Sequence, residues 1–505
     1  MAHDKPYLTL FIFTCIVTTN GWSFLISSPI STLLAQFFRV SLINVSLLTL
    51  LYMIASFIGI PVVLFILTRK EGERRRRREE SGVDVGVPIL GVLLLSAAML
   101  NATGTTGKAI IALFAAWQQP SDTVPATSTH YTLYLLSQAA AALAQPVLIV
   151  VPPLLSNLYF TPDSRALATA VGSLGTVAGI ALGLTPGAFM IAPSSYGQTH
   201  HKEELDVTRF AIVLTTCAVI ADLAAIGLAI IATRYGLAGG STTTTTTTTV
   251  VPSDGSPSSP PSFHPPPSPP PPPTPPPPPR PLYRNVPFLR LLVTFSIAYG
   301  AISTLYATLS LSLGISGFTN RHAALLGGAM VGLGLLGAGL ASVWLDRTKR
   351  FTTALLVGTT STTASFAIFC LLSSTPSLIT SVDLRTVCLT ASLLLLGFCS
   401  TAVLPLALEC GVELTFPHSE VTSSSVLLLG GSAVGTGLLS MVGATADAHG
   451  GVQMSLRVIG MLCLLAVLPI VLPGKWRWRR TEWEEARKVA GRTSIQHGER
   501  VPLLA

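Results

Sequence analysis

Long apolar stretches recur along this chain, and the charged side chains are confined to short runs between them. Each stretch holds about 20 residues or more, and a helix of that length crosses the ~30 Å hydrocarbon core of a bilayer. Only 11% of the residues are charged and the mean hydropathy is +0.61, whereas a soluble chain carries about 25% charged residues. The pattern predicts an all-α membrane protein.

Twelve transmembrane helices in two sets of six are predicted from these stretches. The segment 105–129 contains the apolar run KAIIALFAAW (108–117), which is short for a span, and it is interpreted as an outer loop or an interfacial segment. The predicted spans are about 7–35, 43–68, 85–104, 130–155, 165–193, 207–234, 286–314, 321–345, 352–373, 384–414, 421–445 and 452–473.

The basic residues indicate which side of the membrane each loop faces. Most Lys and Arg lie on one side of this map, notably at 69–78 and after residue 474. By the positive-inside rule both termini are predicted to be cytoplasmic. Topology also explains the net charge of +8 better than nucleic-acid binding does, because the basic residues flank apolar segments. Lys108 and the sequons at Asn44 and Asn101 are placed on the outer side.

The two sets of helices are joined by a segment with an unusual composition. Residues 241–281 are rich in Thr and then in Pro, and polyproline lacks the donors that helices and sheets require. We predict a disordered cytoplasmic linker, with recognition by SH3-type domains as the alternative role. The predicted units are a bundle at 1–236, the linker at 237–284, a second bundle at 285–474 and a cytoplasmic tail at 475–505.

The two halves contain a weak internal repeat. Residues 146–175 and 402–431 both combine helical prolines, an aromatic residue, a Pro-polar turn, small hydroxylated residues and glycines. Basic turns at 68–80 and 344–351 follow the second helix of each half. Two related six-helix bundles are the plan of the major facilitator superfamily, whose substrates bind between the halves near the midplane.

Four stretches resemble one group within that superfamily, the carriers related to the feline leukaemia virus subgroup C receptor. They are FFRVSLINVSLLTLLYM (37–53), QAAAALAQPVLIVVPPLLSNLYF (138–160), GLLGAGLASVWLDRTKRF (334–351) and LPLALECGVELTFPHSEVTSS (404–424). The resemblance covers nearly all of the membrane portion and implies transport of haem, choline or ethanolamine, or a vitamin-type solute.

The resemblance implies two substrate-binding residues. Trp22 matches the family's cation-binding aromatic residue in the first helix, and Gln145 matches its fourth-helix glutamine. A π-face at Trp22 would hold a cationic or planar solute, although a packing role is the alternative. Asn20 would add an orienting hydrogen bond.

Other family positions differ in this chain. The seventh-helix tyrosine falls on Ser303, and the eleventh-helix glutamine falls near Ala433. Tyr299 or Tyr306 would replace the missing tyrosine. Choline specificity therefore does not follow from the resemblance.

Three carboxylates, Glu409, Glu413 and Glu420, lie beside apolar chain at the predicted inner end of the tenth helix. Glu409 and Glu413 are spaced i, i+4 and are expected on one helix face. We interpret the group as a gate that pairs with basic residues or caps the next helix, with proton coupling at Glu409 as the alternative. The basic partners considered are Arg165, Arg347, Lys349 and Arg350.

Two aspartates complete the predicted set. Asp346, beside Arg347 in WLDRTKR, resembles the superfamily's turn aspartate and is assigned to the same inner gate. Asp222 lies within the sixth helix, where an acid either takes part in coupling or hydrogen-bonds a neighbouring helix.

The C-terminal sequence GERVPLLA contains Glu499, Leu503 and Leu504 in the spacing of an acidic dileucine signal. Sorting adaptors read such signals, so a vacuolar or lysosome-like membrane is favoured and the plasma membrane is the alternative.

These features together predict a carrier that moves a small organic solute by alternating access. No cofactor, metal motif or nucleophilic triad is indicated, so the chain is not interpreted as an enzyme. A non-transporting receptor or scaffold that uses the proline-rich loop is the alternative. The polar set Trp22, Gln145 and Asp222 inside the helices favours the carrier.

Overall fold

A computed structural model shows an almost entirely helical protein. Twelve helices in the described part are long and apolar enough to cross a membrane, which confirms the predicted fold class. The structure does not describe the side chains at 70–81 or those of Asp346 and Arg165. Nearly all of the predicted tail and of the linker also lies outside the described residues. The described residues are 5–81, 88–118, 128–191, 205–235, 281–348, 350–375, 381–446, 448, 450–472 and 476.

Sixteen α-helices account for most of the described chain. Two 3₁₀ turns, Thr185–Ala188 and Leu282–Arg284, and one isolated antiparallel bridge between Ile191 and Leu205 lie among them. The helices are α1 Lys5–Leu25, α2 Ser31–Phe38, α3 Leu42–Ser81, α4 Pro88–Gln118, α5 Ser128–Val150, α6 Pro152–Tyr159, α7 Pro162–Leu184, α8 Val207–Tyr235, α9 Val286–Ala307, α10 Leu309–Gly314, α11 Asn320–Thr348, α12 Phe351–Ser374, α13 Val382–Thr415, α14 Glu420–Thr445, α15 Gly451–Leu465 and α16 Leu468–Val471.

The prediction of a loop or interfacial segment at 105–129 is wrong for residues 105–118. They continue α4, whose apolar span runs from Ile89 to Trp117. The polar residues that lowered the local hydropathy are satisfied inside the helix bundle. Thr105 donates to the Asn101 carbonyl at 2.9 Å, and Lys108 is buried at 1% exposure. Asn101 and Lys108 are therefore not in an outer loop.

Capping side chains mark where several helices begin. Asn285, Ser381 and Ser419 precede α9, α13 and α14, and each side chain accepts a hydrogen bond from a backbone N–H of the first turn. Such caps satisfy donors that have no partner within the helix.

Several predicted spans are divided by breaks, of which the first and the seventh are examples. The first stretch, 7–35, ends as α1 at Leu25 and is followed by α2. The seventh stretch, 286–314, breaks at Thr308 between α9 and α10. Hydropathy indicates the length of an apolar stretch but not whether the helix is continuous. These breaks could therefore not be predicted from it.

The two halves share one arrangement of neighbouring helices. In the first half, α1 packs on α7, α3 on α5 and α4 on α8. At the equivalent places in the second half, α9 packs on α14, α11 on α13 and α12 on α15. The halves meet through α3 against α14 and α7 against α11. This duplicated pattern agrees with the internal repeat and with the major facilitator plan.

Glycines allow the paired helices to approach closely. A Cβ built on Gly300 of α9 would lie 2.7 Å from the Gly435 backbone nitrogen of α14. In the first half, a Cβ on Gly179 of α7 would lie 2.9 Å from the Trp22 backbone nitrogen of α1. Small residues at such crossings let membrane helices gain van der Waals contact.

Candidate functional site

A cavity of about 120 Å³ lies between the two halves. The first half lines it with residues of α1, α3, α5, α6 and α7, and the second half with residues of α9, α12, α13 and α14. Aliphatic side chains make up much of the wall, and five aromatic residues contribute to it: Phe24, Tyr52, Phe295, Tyr299 and Tyr306.

The polar part of the wall consists of neutral groups. Gln145 contributes an amide, and the remaining polar side chains are hydroxyls. Among the described residues, no charged side chain lines the cavity. The hydroxyl residues besides the tyrosines are Ser56, Ser173, Thr176, Ser303, Thr362, Ser400, Thr401 and Ser432.

Packing around Tyr299 determines where its ring points. Phe295, one turn earlier on α9, stacks against it with centroids 5.5 Å apart and an interplanar angle of 25°. On the facing helix α14, a Cβ at Gly431 would lie only 2.5 Å from Tyr299 Cδ1. The glycine thus leaves room for the tyrosine at the cavity wall.

Gln145 and Tyr299 are the two predicted binding residues that the structure brings together at this cavity. Gln145 is 6% exposed, and Pro146 follows it within α5. Tyr306, considered with Tyr299 in the sequence, also lines the cavity. Tyr52 and Phe24 were missed, because in the sequence they are two aromatics among many in apolar helices.

Trp22 and Asn20 lie elsewhere in the first bundle. Trp22 is buried at 8% exposure in an apolar cluster outside the cavity wall, and its indole N–H has no described acceptor. The Asn20 amide nitrogen donates to Asn101 Oδ1 and to the Ala141 carbonyl, both at 2.9 Å. These bonds tie α1 to α4 and α5, and a substrate role for either residue stays a prediction.

Hydrogen bonds join the two halves at one end of the cavity, the end predicted to face outward. Ser31 Oγ lies 2.9 Å from Ser310 Oγ, and Ser310 donates to the Ser28 carbonyl at 2.7 Å. Ser28 in turn donates to the carbonyl of Tyr306, whose ring lines the cavity. Asn320 adds a 3.1 Å bond to Thr32. Neutral groups therefore hold this end closed.

The three glutamates differ in exposure. Glu413 is buried at 4%, whereas Glu409, four residues earlier on α13, is exposed. Glu420 is the first residue of α14, where its charge is favourable at the positive end of the helix dipole. Arg347 is exposed at the end of α11, and the Asp346 side chain lies outside the described part. The gating and proton-coupling roles stay predictions.

Asp222 makes the interhelical hydrogen bonds considered as one of its two alternatives. Its carboxylate oxygens accept from Thr106 Oγ1 at 3.1 and 2.9 Å, which links α8 to α4. Glu499, Leu503 and Leu504, the predicted sorting signal, lie outside the described residues.

A polar cluster around Lys108 was missed by the sequence analysis. Lys108 Nζ donates to Ser23 Oγ and, at 2.6 Å, to Gln138 Oε1. All three side chains are 1% exposed or less. The sequence feature that could have revealed the cluster is a lone lysine within an apolar run. An ionisable residue inside a membrane helix is a candidate functional residue by default.

The comparisons with known proteins agree with this architecture. No family model matches the chain. The choline/ethanolamine transporter flvcr2a of Danio rerio is 24% identical over 508 residues, which cover 99% of this chain and 93% of the relative. Solute carrier family 49 member A3 of Xenopus tropicalis is 23% identical over 436 residues, 86% of this chain and 76% of the relative. The resemblance seen in the sequence is thereby confirmed.

Solved transporter structures share the fold. The xylose transporter XylE from E. coli, in a partially occluded inward-open conformation, superposes with a TM-score of 0.59 at 12% identity. That match covers 94% of this chain and 100% of the transporter. A bacterial homologue of the human lysosomal transporter Spinster, facing inward, gives 0.54 at 14% identity, covering 98% of this chain and 99% of the homologue. At such identities the likeness establishes the fold alone.

Proposed function

We propose that this membrane transporter of the major facilitator fold moves a small organic solute by alternating access, and that the solute carries an apolar or quaternary-ammonium group and a hydrogen-bonding group. The cavity between the halves is the observation that carries the proposal. Aromatic rings and hydroxyls surround it, with Gln145 as the amide.

The chemistry of the wall favours particular solutes. Tyrosine faces attract soft cations through the ring quadrupole, and hydroxyls and the Gln145 amide orient a polar end. A compact, strongly hydrated ion would lose its water without a charged partner from the described wall. The name of the similar protein flvcr2a specifies choline and ethanolamine, so these are the first solutes to test.

The position and closure of the cavity support transport of a small solute. A cavity of about 120 Å³ between the two halves offers an enclosed place for such a solute. Closure by hydrogen bonds at one end supports a site that opens to one side at a time.

A thermal-stability screen tests the solute class. Purified full-length protein is heated with choline, ethanolamine, pyridoxine, haem or a monocarboxylate, because a ligand that binds the folded state raises the melting temperature. We expect a rise with choline or ethanolamine. A rise with monocarboxylates alone would contradict the cation-tolerant site, and no rise with any solute in a folded sample would contradict the proposed class.

Gln145→Ala tests whether the cavity is the site. Loss of the amide should raise the KM for the solute about tenfold, as expected for ~1–2 kcal/mol of hydrogen bonding, while the protein still folds. Leu136→Ala on the same helix is the matched control, because Leu136 is 61% exposed and points away from the bundle. Equal KM values in the two variants would place the site elsewhere.

Both termini are proposed to be cytoplasmic in a vacuolar or lysosome-like membrane. The support is the asymmetry of Lys and Arg and the dileucine spacing of Glu499, Leu503 and Leu504. Antibody access to tags at each end before and after permeabilisation tests the orientation. Leu503→Ala with Leu504→Ala should move the protein to the plasma membrane, and unchanged localisation would exclude the signal.

A further inference from the structure

Lys108 lies in a preformed site within the first bundle, next to the central cavity. Its ammonium nitrogen contacts Ser23 Oγ of α1 and Gln138 Oε1 of α5. Gln138 is fixed in orientation because its Nε2 donates to the Ser23 and Leu48 carbonyls at 3.2 and 3.0 Å. The amide oxygen is consequently turned toward Lys108, and the three helices are joined at this point.

No anion accompanies this lysine in the described part of the chain. The titratable group that interacts with it is the Cys217 thiol of α8, and the Tyr52 phenol of α3 and the Tyr134 phenol of α5 interact in turn with Cys217. Phenols and thiols are ordinarily neutral near pH 7. The Asp222 carboxylate of α8 is bound to Thr106 instead. A permanent charge here would be costly, since a buried ion without a counter-charge lacks compensation.

The number of acceptors also distinguishes the two forms of the side chain. An ammonium carries three N–H donors, whereas a neutral amine carries two and has one lone pair. The described surroundings provide two acceptors, Ser23 Oγ and Gln138 Oε1. The site thus satisfies the amine fully, and its lone pair is available to bind a proton.

A chain of hydroxyls leads from this site to the cavity. Tyr52 OH donates to Ser23 Oγ at 2.9 Å, and the Tyr52 ring is part of the cavity wall. Ser23 therefore contacts both the lysine nitrogen and a phenol at the edge of the proposed solute site. Two hydrogen bonds therefore connect the lysine nitrogen with a residue of the cavity wall.

We propose that Lys108 binds and releases a proton during transport, with Ser23 and Tyr52 as the path to the cavity. This inference rests on the proposed carrier function, and it identifies the proton as the ion whose movement is coupled to that of the solute. For release, the Ser23 and Tyr52 hydroxyls first rotate, so that Ser23 donates to the Tyr52 oxygen and Tyr52 donates to a water molecule in the cavity. The ammonium then passes a proton to Ser23 Oγ as Ser23 passes its own to the Tyr52 oxygen, and Tyr52 passes its phenolic proton to that water. The lysine becomes a neutral amine, both hydroxyls are restored, and the water becomes hydronium.

A pH jump measures this proton without any solute. Full-length protein in liposomes is adsorbed on a solid-supported membrane, and a rapid pH change produces a transient current when a buried group binds protons. We expect the wild type to show this current and Lys108→Met to lose most of the transferred charge. Ser46→Ala on α3 is the control, because among the described residues the Ser46 hydroxyl bonds to the Leu42 carbonyl of its own helix. Equal charge transfer in the wild type and a folded Lys108→Met would overturn the proposal.

Ser23 provides a second test that leaves the lysine in place. Ser23→Ala removes the relay oxygen, and Ser23→Thr retains a hydroxyl. We expect the current to be lost or strongly slowed in Ser23→Ala and retained in Ser23→Thr. Identical currents in these two variants would contradict the path, even if Lys108→Met failed to fold.

Exchange of radiolabelled choline at equal pH on both sides separates the two proposals. Exchange requires the carrier but no net proton movement, so its absence contradicts choline transport without affecting the pH-jump result. With exchange present, a pH gradient should drive choline accumulation in the wild type and not in Lys108→Met. Equal gradient-driven accumulation of choline in both proteins would overturn the proposed role of Lys108 and leave choline transport unaffected.

Discussion

Tyr299 reaches the cavity because the neighbouring helix carries a glycine at the point of contact. Gly431 faces the ring so closely that a methyl group would lie 2.5 Å from Cδ1. On its other face the ring stacks with Phe295, so it cannot move aside freely. One missing Cβ on α14 therefore determines the position of an aromatic side chain on α9.

Gly431→Ala should disturb solute binding at this position. The added methyl group displaces the Tyr299 ring, and we expect the KM for the transported solute to rise about tenfold, equivalent to ~1.4 kcal/mol. Uptake into proteoliposomes measures the change. Gly437→Ala is the matched control, because it lies on the same helix with nothing within 4 Å of the built Cβ. Similar KM values for the two variants would show that Tyr299 does not contact the solute.

Thr106 provides a second prediction at the scale of single residues. Thr106→Val removes the hydroxyl proton that the two Asp222 oxygens share, with little change in side-chain shape. Interhelical bonds of this kind contribute about 0.6 to 1.7 kcal/mol in membranes, so we expect a small fall in the melting temperature. Asp222→Asn retains an acceptor, and its melting temperature should fall less. Unaltered stability in Thr106→Val would mean that Asp222 has another partner.

Packing of α1 against α7 shows how whole elements are held together. Gly179 of α7 sits against the backbone of α1 at Thr18 and Trp22, so the helices touch without intervening side chains. Thr18 Oγ1 also donates to the Gly175 carbonyl at 3.2 Å. Both helices contribute to the cavity wall, through Phe24 on α1 and Thr176 on α7. Their separation therefore affects stability and the site alike.

Gly179→Ala should force α1 and α7 apart. Overpacking of this type costs about 1–3 kcal/mol, and we expect a lower melting temperature in detergent. Gly332→Ala in α11 serves as the control, because nothing lies within 4 Å of its built Cβ. If both variants had the melting temperature of the wild type, the close approach at Gly179 would not hold the helices together.

At the scale of the whole molecule, the two halves meet through hydroxyl contacts at one end of the cavity. Ser31 belongs to α2 and Ser310 to α10, and their oxygens are 2.9 Å apart. Alternating access requires these contacts to break when this end opens. Neutral hydrogen bonds suit such a closure, since each contributes only about 1 kcal/mol net.

Cross-linking this end should stop the transport cycle. With Ser31→Cys and Ser310→Cys in one chain, oxidation should form a disulfide and abolish solute uptake, and reduction should restore it. Each single variant, treated identically, controls for the seven native cysteines. Full uptake by a cross-linked protein would show that this end does not open during transport.

The helices could be predicted because hydropathy is a property of local sequence. A segment such as Val207–Thr233 is apolar along its length, and inside a bilayer a helix satisfies its own backbone groups. The repeated plan and the family resemblance were also visible, since both depend on local motifs. The same reasoning failed at 105–118, where polar residues lowered the average although the partners of Thr106 and Lys108 lie on other helices.

The number of spans, their division into two related halves and the general class of transporter could thus be predicted from the order of residues. Which side chains face the cavity depends on how the helices pack. Gln145 and Tyr299 line it and Trp22 does not, although all three lie in apolar helices. Burial of Lys108 likewise depends on Gln138 and Ser23, which are 30 and 85 residues away in the chain. A polar group is tolerated in a membrane interior when its partners are near in space, and their distance along the chain conceals them from any local pattern.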